Sequence, residues 1–336
     1  MGRGSNFIRN AGPPADASGP ASAPPPNVTC RPAAPDEVAT ALRLVLGSAG
    51  APADDAHVFD FAQFAARRGI DVSQTWLADV GGELAWAVLP IVSPGRTMLL
   101  LGPSGAPRHA GHAAAAGMVV DAVCAHFAGR GVQLAQVLLD PPDTPSHRLY
   151  ERQGFARVAQ LVYLQVAARR RAAPPPLPDG FQWARYGQQS HAAFRDLIAR
   201  TYHQSLDCPT LNGLRDMEDV LAGHKASGTF DAGLWMLLCE GDAPRGALLL
   251  SRAQPADALE LVYLGLAPDA RGRGLGDLMM RQALAITAAS GAGRLSLAVD
   301  SNNVPALKLY YRHGMQRVGA KMALMRQLRA RDTSGD

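Results

Sequence analysis

Hydrophobic positions change their period sharply near residue 270. From Leu259 to Leu266 the chain reads LELVYLGL, a short aliphatic and aromatic run stopped by Ala267-Pro268-Asp269, as a buried strand stops at a turn. From Leu275 the apolar residues take helical spacing, with Leu275, Leu278, Met279, Ala283 and Ile286 on one face. Between the two lies Arg271-Gly272-Arg273-Gly274-Leu275-Gly276. Glycines there leave the first backbone N–H groups of the helix open, and those groups with the helix dipole favour an anion. A phosphate or pyrophosphate is the expected occupant.

The pattern repeats along the chain. RLSLAVD at Arg294 to Asp300, followed by Asn303, Ala306, Leu309-Tyr310, Gly314-Met315 and Arg317-Val318, has a counterpart 160 residues earlier: LAQVLLD at Leu134 to Asp140, then Asp143, Ser146, Leu149-Tyr150, Gly154-Phe155 and Arg157-Val158. With a shift of 163, the turn at Arg271, Gly274 and Gly276 falls on Arg108, Gly111 and Ala113, a poorer glycine loop. Two copies of one fold in tandem are expected.

Composition sets the boundaries between them. Residues 1–29 are dominated by Gly, Pro, Ala and Ser and predict a disordered tail, without the apolar h-region of a signal peptide and with Asn6 breaking the myristoylation pattern. Residues 168–179 contain ARRRAAPPPLPD, a semi-rigid linker. This leaves 30–167 and 180–330 as domains, each an α/β unit. The chain of 336 residues is 47% hydrophobic and 18% charged, enough apolar material for two cores and without the composition of a disordered or membrane protein. A net charge of +4 is mild and scattered, which favours a small anionic ligand over nucleic acid. Cys30, Cys124, Cys208 and Cys239 form no CxxC pair and read as reduced thiols of a cytoplasmic protein. His109 and His112 lack further ligands at metal spacing, so no metal is expected.

Spacing separates the phosphate-binding motifs. A dinucleotide fingerprint needs glycine where Asp277 stands, and a P-loop needs a GK followed by Ser or Thr. What remains is Arg-x-x-Gly-x-Gly after a strand and a proline, met by Arg271, Gly274 and Gly276. These residues resemble the acetyl-coenzyme A signature of the GCN5-related N-acetyltransferase (GNAT) superfamily. The resemblance implies two tandem GNAT-type domains, each a mixed, mostly antiparallel sheet flanked by helices, a layout similar to that of mycothiol synthase, with activity in the C-terminal half. It implies acetyl-CoA held by Leu264, Leu266, Ala267, Arg271, Gly272, Arg273, Gly274, Leu275, Gly276 and Asn303. Asn303 also suits the N-cap of the helix that begins near Pro305.

Two further roles follow from that likeness. Tyr310, or Tyr311 if the register slips by one, stands where the superfamily places a tyrosine against the departing thiolate. A tyrosine pKa of about 10 against about 8.5 for a thiol makes full proton transfer uphill by roughly 2 kcal/mol, so hydrogen bonding or a depressed pKa is required. Glu260 holds the strand position of the catalytic glutamate in the histone-acetylating branch; an edge carboxylate at a strand's start is the structural alternative. Deprotonating an alkylammonium at pH 7 costs about 4.6 kcal/mol, which a base offsets. In the first half, the residue eleven before Arg108 is Thr97. That domain is read as degenerate, either binding coenzyme A weakly or only buttressing its neighbour. Tyr202, His203 and Asp207 lie in a polar, proline-broken segment suited to recognising the acceptor, a small-molecule or peptide amine. A non-catalytic acyl-CoA sensor and a protein N-terminal or lysine acetyltransferase are the competing readings, and monomer and homodimer both stay open.

Overall fold

The computed structural model describes residues 27–48, 51–105, 107, 109–168, 173–211, 213–253 and 257–328. Residues 1–26 of the expected tail, 169–172 of the expected linker and Arg108 lie outside them. Val28 and Thr29, assigned by composition to the tail, open the first strand.

The first repeat runs β1 (Val28–Pro32), α1 (Val38–Val45), α2 (Asp55–Arg68), β2 (Trp76–Val80), β3 (Glu83–Ser93), β4 (Thr97–Leu101), α3 (Ala110–Ala128), β5 (Leu134–Leu139), α4 (Thr144–Arg152) and β6 (Ala156–Ala167). The second repeats the order: β7 (Phe181–Arg185), α5 (His191–Thr201), α6 (Met217–Ala226), β8 (Trp235–Glu240), β9 (Ala243–Arg252), β10 (Ala258–Leu266), α7 (Leu275–Ala289), β11 (Arg294–Asp300), α8 (Val304–Arg312) and β12 (Gln316–Gln327). The expected mixed, mostly antiparallel architecture is present. Only β4 with β5 and β10 with β11 pair in parallel among the named strands.

The two repeats do not form two separate sheets. One twelve-stranded sheet runs β1-β2-β3-β4-β5-β12-β6-β11-β10-β9-β8-β7. The last strand of each repeat has crossed into the other: β6 pairs with β11, and β12 pairs with β5. The exchange is symmetric residue by residue. Leu295 faces Val166 while Arg326 faces Ala135; adding 160 to Ala135 gives Leu295 and adding it to Val166 gives Arg326, so each pair maps onto the other. Leu161 faces Lys321 on the pseudo-twofold axis itself.

Burial follows the exchange. Val162 and Leu164 of β6 belong to the second half's core with Trp235, Phe194 and Leu248, whereas Leu324 of β12 belongs to the first half's core with Trp86, Met98 and Val119. The 19-residue helix α3 has the length and hydropathy of a membrane span, but Ala115, Val119, Val123 and Phe127 are buried against the sheet. Its apolar character is that of a core helix.

Candidate active site

The cleft is made where a parallel pair stops being a pair. β10 and β11 are in register only from Ala258–Arg294 to Glu260–Ser296, after which they splay. The edge of β10 facing β11 therefore carries backbone groups from Leu261 to Leu266 with no ladder partner on that side. On its other edge β10 skips a residue against β9, since Leu261 faces Leu250 and Tyr263 faces Leu249. Val262 is the extra residue of this bulge, and bulges of this kind re-aim backbone groups beside active sites. The resulting cleft, about 520 Å³, is lined by Leu261 to Leu266, Arg271, Gly272, Gly274, Gly276, Asn303, Ala306, Leu309 and Tyr310.

At the outer end α7 points its N-terminus into the cleft. Gly272 and Gly274 have φ of +74° and +76°, a left-handed backbone that glycine adopts without strain. Gly276 differs: its φ is ordinary, and a Cβ there would meet Leu309 at 3.5 Å, an unremarkable contact. The turn is fixed by the Arg271 side chain, which donates to the carbonyls of Leu266 (3.2 Å), Thr201 (2.9 Å), His203 (2.9 Å) and Gln204 (3.2 Å). Arg271 thus caps the end of α5 and ties the turn to the following loop.

Not every expected cofactor residue offers its side chain to the cleft. Arg273 pairs with Glu240 at 2.7 Å and lies over the Phe181 ring, Leu275 is buried in the core, and the Ala267 N–H donates to the Arg245 carbonyl. Leu264 and Leu266 line the cleft. Asn303 caps α8, its Oδ1 accepting from the Ala306 N–H at 3.3 Å. Asp277, in the first turn of α7, is held by Arg281 and His313.

Tyr310 lines the cleft and is 7% exposed, whereas Tyr311 is 48% exposed and faces solvent. Burial, and then the nearby Asp207 carboxylate, raise the Tyr310 pKa above the ordinary tyrosine value. Of the two ways a tyrosine can assist a thiolate, a depressed pKa is therefore not the one built here. Glu260 lies at the closed end of the splay, paired across the ladder with Ser251 and Ser296 and half-buried. Burial raises its pKa and Arg68, from the first half, opposes that rise.

The loop after α5 forms the opposite wall. Tyr202 stacks edge-on with Tyr263, and Tyr263 hydrogen-bonds Thr201. His203 is exposed and contributes its carbonyl to Arg271. Asp207 stands at the rim of the cleft, its Oδ1 receiving the Asp300 N–H at 3.5 Å. Asp300, whose Oδ2 accepts from the Cys208 N–H at 3.3 Å, was missed by sequence reasoning, because it comes from β11 and no local pattern joins it to the loop it holds. Cys208 is no nucleophile: burial and the two aspartates push its thiol up to about 12.

The first half has the same splay, and its own chain enters it. Thr97 to Leu99 pair with Leu134 to Gln136. In this register Leu99, facing Gln136, is the partner of Glu260, not Thr97 as the count from the turn gave. The two-residue error arises from the shorter connection between β4 and its turn. Beyond it the Gly105 N–H donates to Asp143 and Ser146, each at 3.0 Å, and the Ser146 hydroxyl donates back to the Gly105 carbonyl. Asp143 and Ser146 are the repeat partners of Asn303 and Ala306, so in the first half the chain's own backbone meets the counterparts of residues that line the second cleft. The Tyr150 hydroxyl lies against Gly102, where a Cβ would come within 3.1 Å. Among the described residues no group of three or more His, Cys, Asp or Glu is arranged to hold a metal.

Residues 198–315 match the acetyltransferase (GNAT) family. A mycothiol acetyltransferase of Beutenbergia cavernae is 33% identical over 147 residues, which are 41% of this chain and 46% of that protein, so the chain spans about half the length of this curated relative. A GCN5-related N-acetyltransferase from Sphaerobacter thermophilus aligns over 90% of this chain and 96% of its own, with a TM-score of 0.58 and 19% identity. A tandem GNAT protein from the clavulanic acid biosynthesis pathway aligns over 90% and 99%, with a TM-score of 0.51 and 13% identity. These two likenesses are of fold.

Proposed function

We propose, for a chain that has the tandem layout of the GCN5-related N-acetyltransferase superfamily, that the second half transfers an acetyl group from acetyl-CoA to an amine by direct attack. The observation that carries this reading is the splay of β10 from β11, an unladdered strand edge that runs from Leu261, just past Glu260, to the glycine turn at the N-terminus of α7, with Tyr310 beside it. An extended amide-containing arm pairs with such an edge as another strand does. A pyrophosphate fits the end of α7, where Gly272 and Gly274 admit it and the helix dipole favours it.

The chain's residues have distinct tasks. Glu260, its carboxyl pKa raised by burial, takes a proton from the acceptor's ammonium and leaves the amine free to attack the thioester carbon. The bulge at Val262 presents a backbone N–H to the carbonyl oxygen as charge develops on it. As the C–N bond forms and the C–S bond breaks, Tyr310 hydrogen-bonds the leaving sulphur. It hands over its proton as it receives the one the new amide nitrogen sheds, so no free phenolate accumulates. That sequence suits a tyrosine whose pKa is raised rather than lowered. The acceptor is a small-molecule or peptide amine.

Calorimetric titration with acetyl-CoA, paired with thiol release over a library of amines, tests the reading. Binding to the wild type, its loss in a Gly274→Glu, Gly276→Glu variant and thiol release with at least one amine are expected. Retained affinity in that variant would remove the site.

A further inference from the structure

The loop after α5 adopts, at two positions, backbone that side chains normally avoid. Gln204 and Cys208 have φ of 52° and 45°, two of the three non-glycine residues with positive φ among those described. Such backbone is strained for a side chain and persists where its surroundings hold it. Arg271 holds the start of the loop through the carbonyls of Thr201, His203 and Gln204. Asp300 holds the middle: its Oδ2 accepts from the Cys208 N–H at 3.3 Å and its Oδ1 from the Asn302 N–H at 2.9 Å, while its own N–H donates to Asp207. The Ser205 hydroxyl accepts from the Asp207 N–H at 3.1 Å. Strain and clasp together deliver Asp207 to the rim of the cleft, with Gln204, Ser205 and Leu206 beside it.

We infer that Asp207 is the residue that recognises the acceptor, holding an aliphatic amine in its ammonium form at the rim of the cleft beside Tyr310. This rests on the acetyl-transfer reading above and names the substrate class of the same site. Asp207 is solvent-accessible and lines the cleft with Gln204, Ser205 and Tyr310. Among the described residues it forms no ion pair, and Arg271, which lines the same cleft, spends its donors on four carbonyls. Burial, and then the Asp300 carboxylate at its back, raise the Asp207 carboxyl pKa, and a compact cation with several donors, which is what an alkylammonium supplies, favours its charged form. An arylamine, neutral at pH 7, does not.

Asp207→Asn tests the assignment, because asparagine keeps the oxygen that accepts from Asp300 and removes the charge. The readout is calorimetric titration of n-hexylamine, with n-hexanol as the neutral isostere, into the full chain with and without coenzyme A. Binding of n-hexylammonium to the wild type and at least tenfold weaker binding to the variant are expected, with n-hexanol weak in both and acetyl-CoA affinity unchanged. Equal n-hexylamine affinity in the two proteins, or none in the wild type, overturns the proposal. Loss of acetyl-CoA binding in the wild type would instead overturn the transfer reading, so the two failures are distinct.

Discussion

Leu164 and Leu324 are repeat partners, 160 residues apart, and each is fully buried in the core of the other half. Removing either half therefore unpacks both. A single cooperative thermal transition is expected for the whole chain. Separately expressed fragments 27–168 and 173–328 should each lack a stable fold, since β6 finds both its ladder partners in the second fragment. Two calorimetric transitions, or a fragment 27–168 with a sharp transition of its own, would show that the exchange is dispensable.

Much of this architecture was legible in the sequence, and the exchange was not. The strand, turn and helix around Arg271 announce themselves by a change of hydrophobic period, and the 160-residue offset survives in the ladder registers. Which β5-type strand β6 joins is invisible, because the two candidates are chemically alike: LAQVLLD and RLSLAVD offer the same alternation to either partner. Site residues divide on the same principle. Tyr310 and Asn303 sit at fixed offsets on one element, so spacing finds them. The contact of Asp207 with Asp300 joins positions 93 apart through a loop whose backbone is strained, and no local pattern encodes it. Arg271 shows the converse. Its place in the motif is local, but its side chain serves α5.

One coenzyme A per chain is expected. In the first half Gly105 is hydrogen-bonded to Asp143 and Ser146, whose repeat partners Asn303 and Ala306 line the cleft of the second. Calorimetry should give a stoichiometry near one that falls to zero with Gly274→Glu, Gly276→Glu. A second site surviving that substitution would mean the first cleft opens.

Arg271→Ala should loosen the cleft rather than delete a phosphate contact. Four carbonyls lose a charged donor, and hydrogen bonds to charged groups are worth about 1.5 to 3 kcal/mol each, much of it recovered from water. A loss of about 2 kcal/mol of stability and weaker acetyl-CoA binding are expected, with faster proteolysis between Tyr202 and Asp216. Unchanged proteolysis alongside lost binding would point to direct phosphate contact. Arg108, its partner by sequence, lies outside the described residues, and Arg108→Ala should leave turnover nearly unchanged.

Stability should fall in acid through His224. Its Nε2 is buried without a hydrogen-bond partner, its ring stacks at 5.3 Å on Tyr263, and burial followed by Arg215 lowers its pKa to about 4. The folded pKa is depressed below the ordinary value near 6.5, so the unfolded chain takes the proton first as pH falls. Stability is thus lost between about pH 6.5 and 4, by about 3 kcal/mol, and the loss levels off once both states are protonated. In His224→Phe, urea midpoints should depend less on pH over that interval. An equal slope in the two proteins would assign the acid sensitivity elsewhere.

Tyr310→Phe separates a catalyst from a protein that only binds acyl-CoA. The substitution keeps the ring in its buried site and removes the hydroxyl alone, so packing and acetyl-CoA affinity should stay close to wild type. What disappears is a hydrogen bond to a developing thiolate. At about 1.5 to 3 kcal/mol for a bond to a charged partner, this lowers kcat and kcat/KM together by roughly ten- to a hundredfold. Tyr150→Phe makes the same deletion at the repeat partner, where the hydroxyl rests against Gly102 in a closed cleft, and should leave the rate unchanged. Steady-state thiol release and cofactor titration on the same preparations decide it. An unaltered kcat in the Tyr310 variant, or a loss matched by Tyr150→Phe, would remove Tyr310 from the reaction.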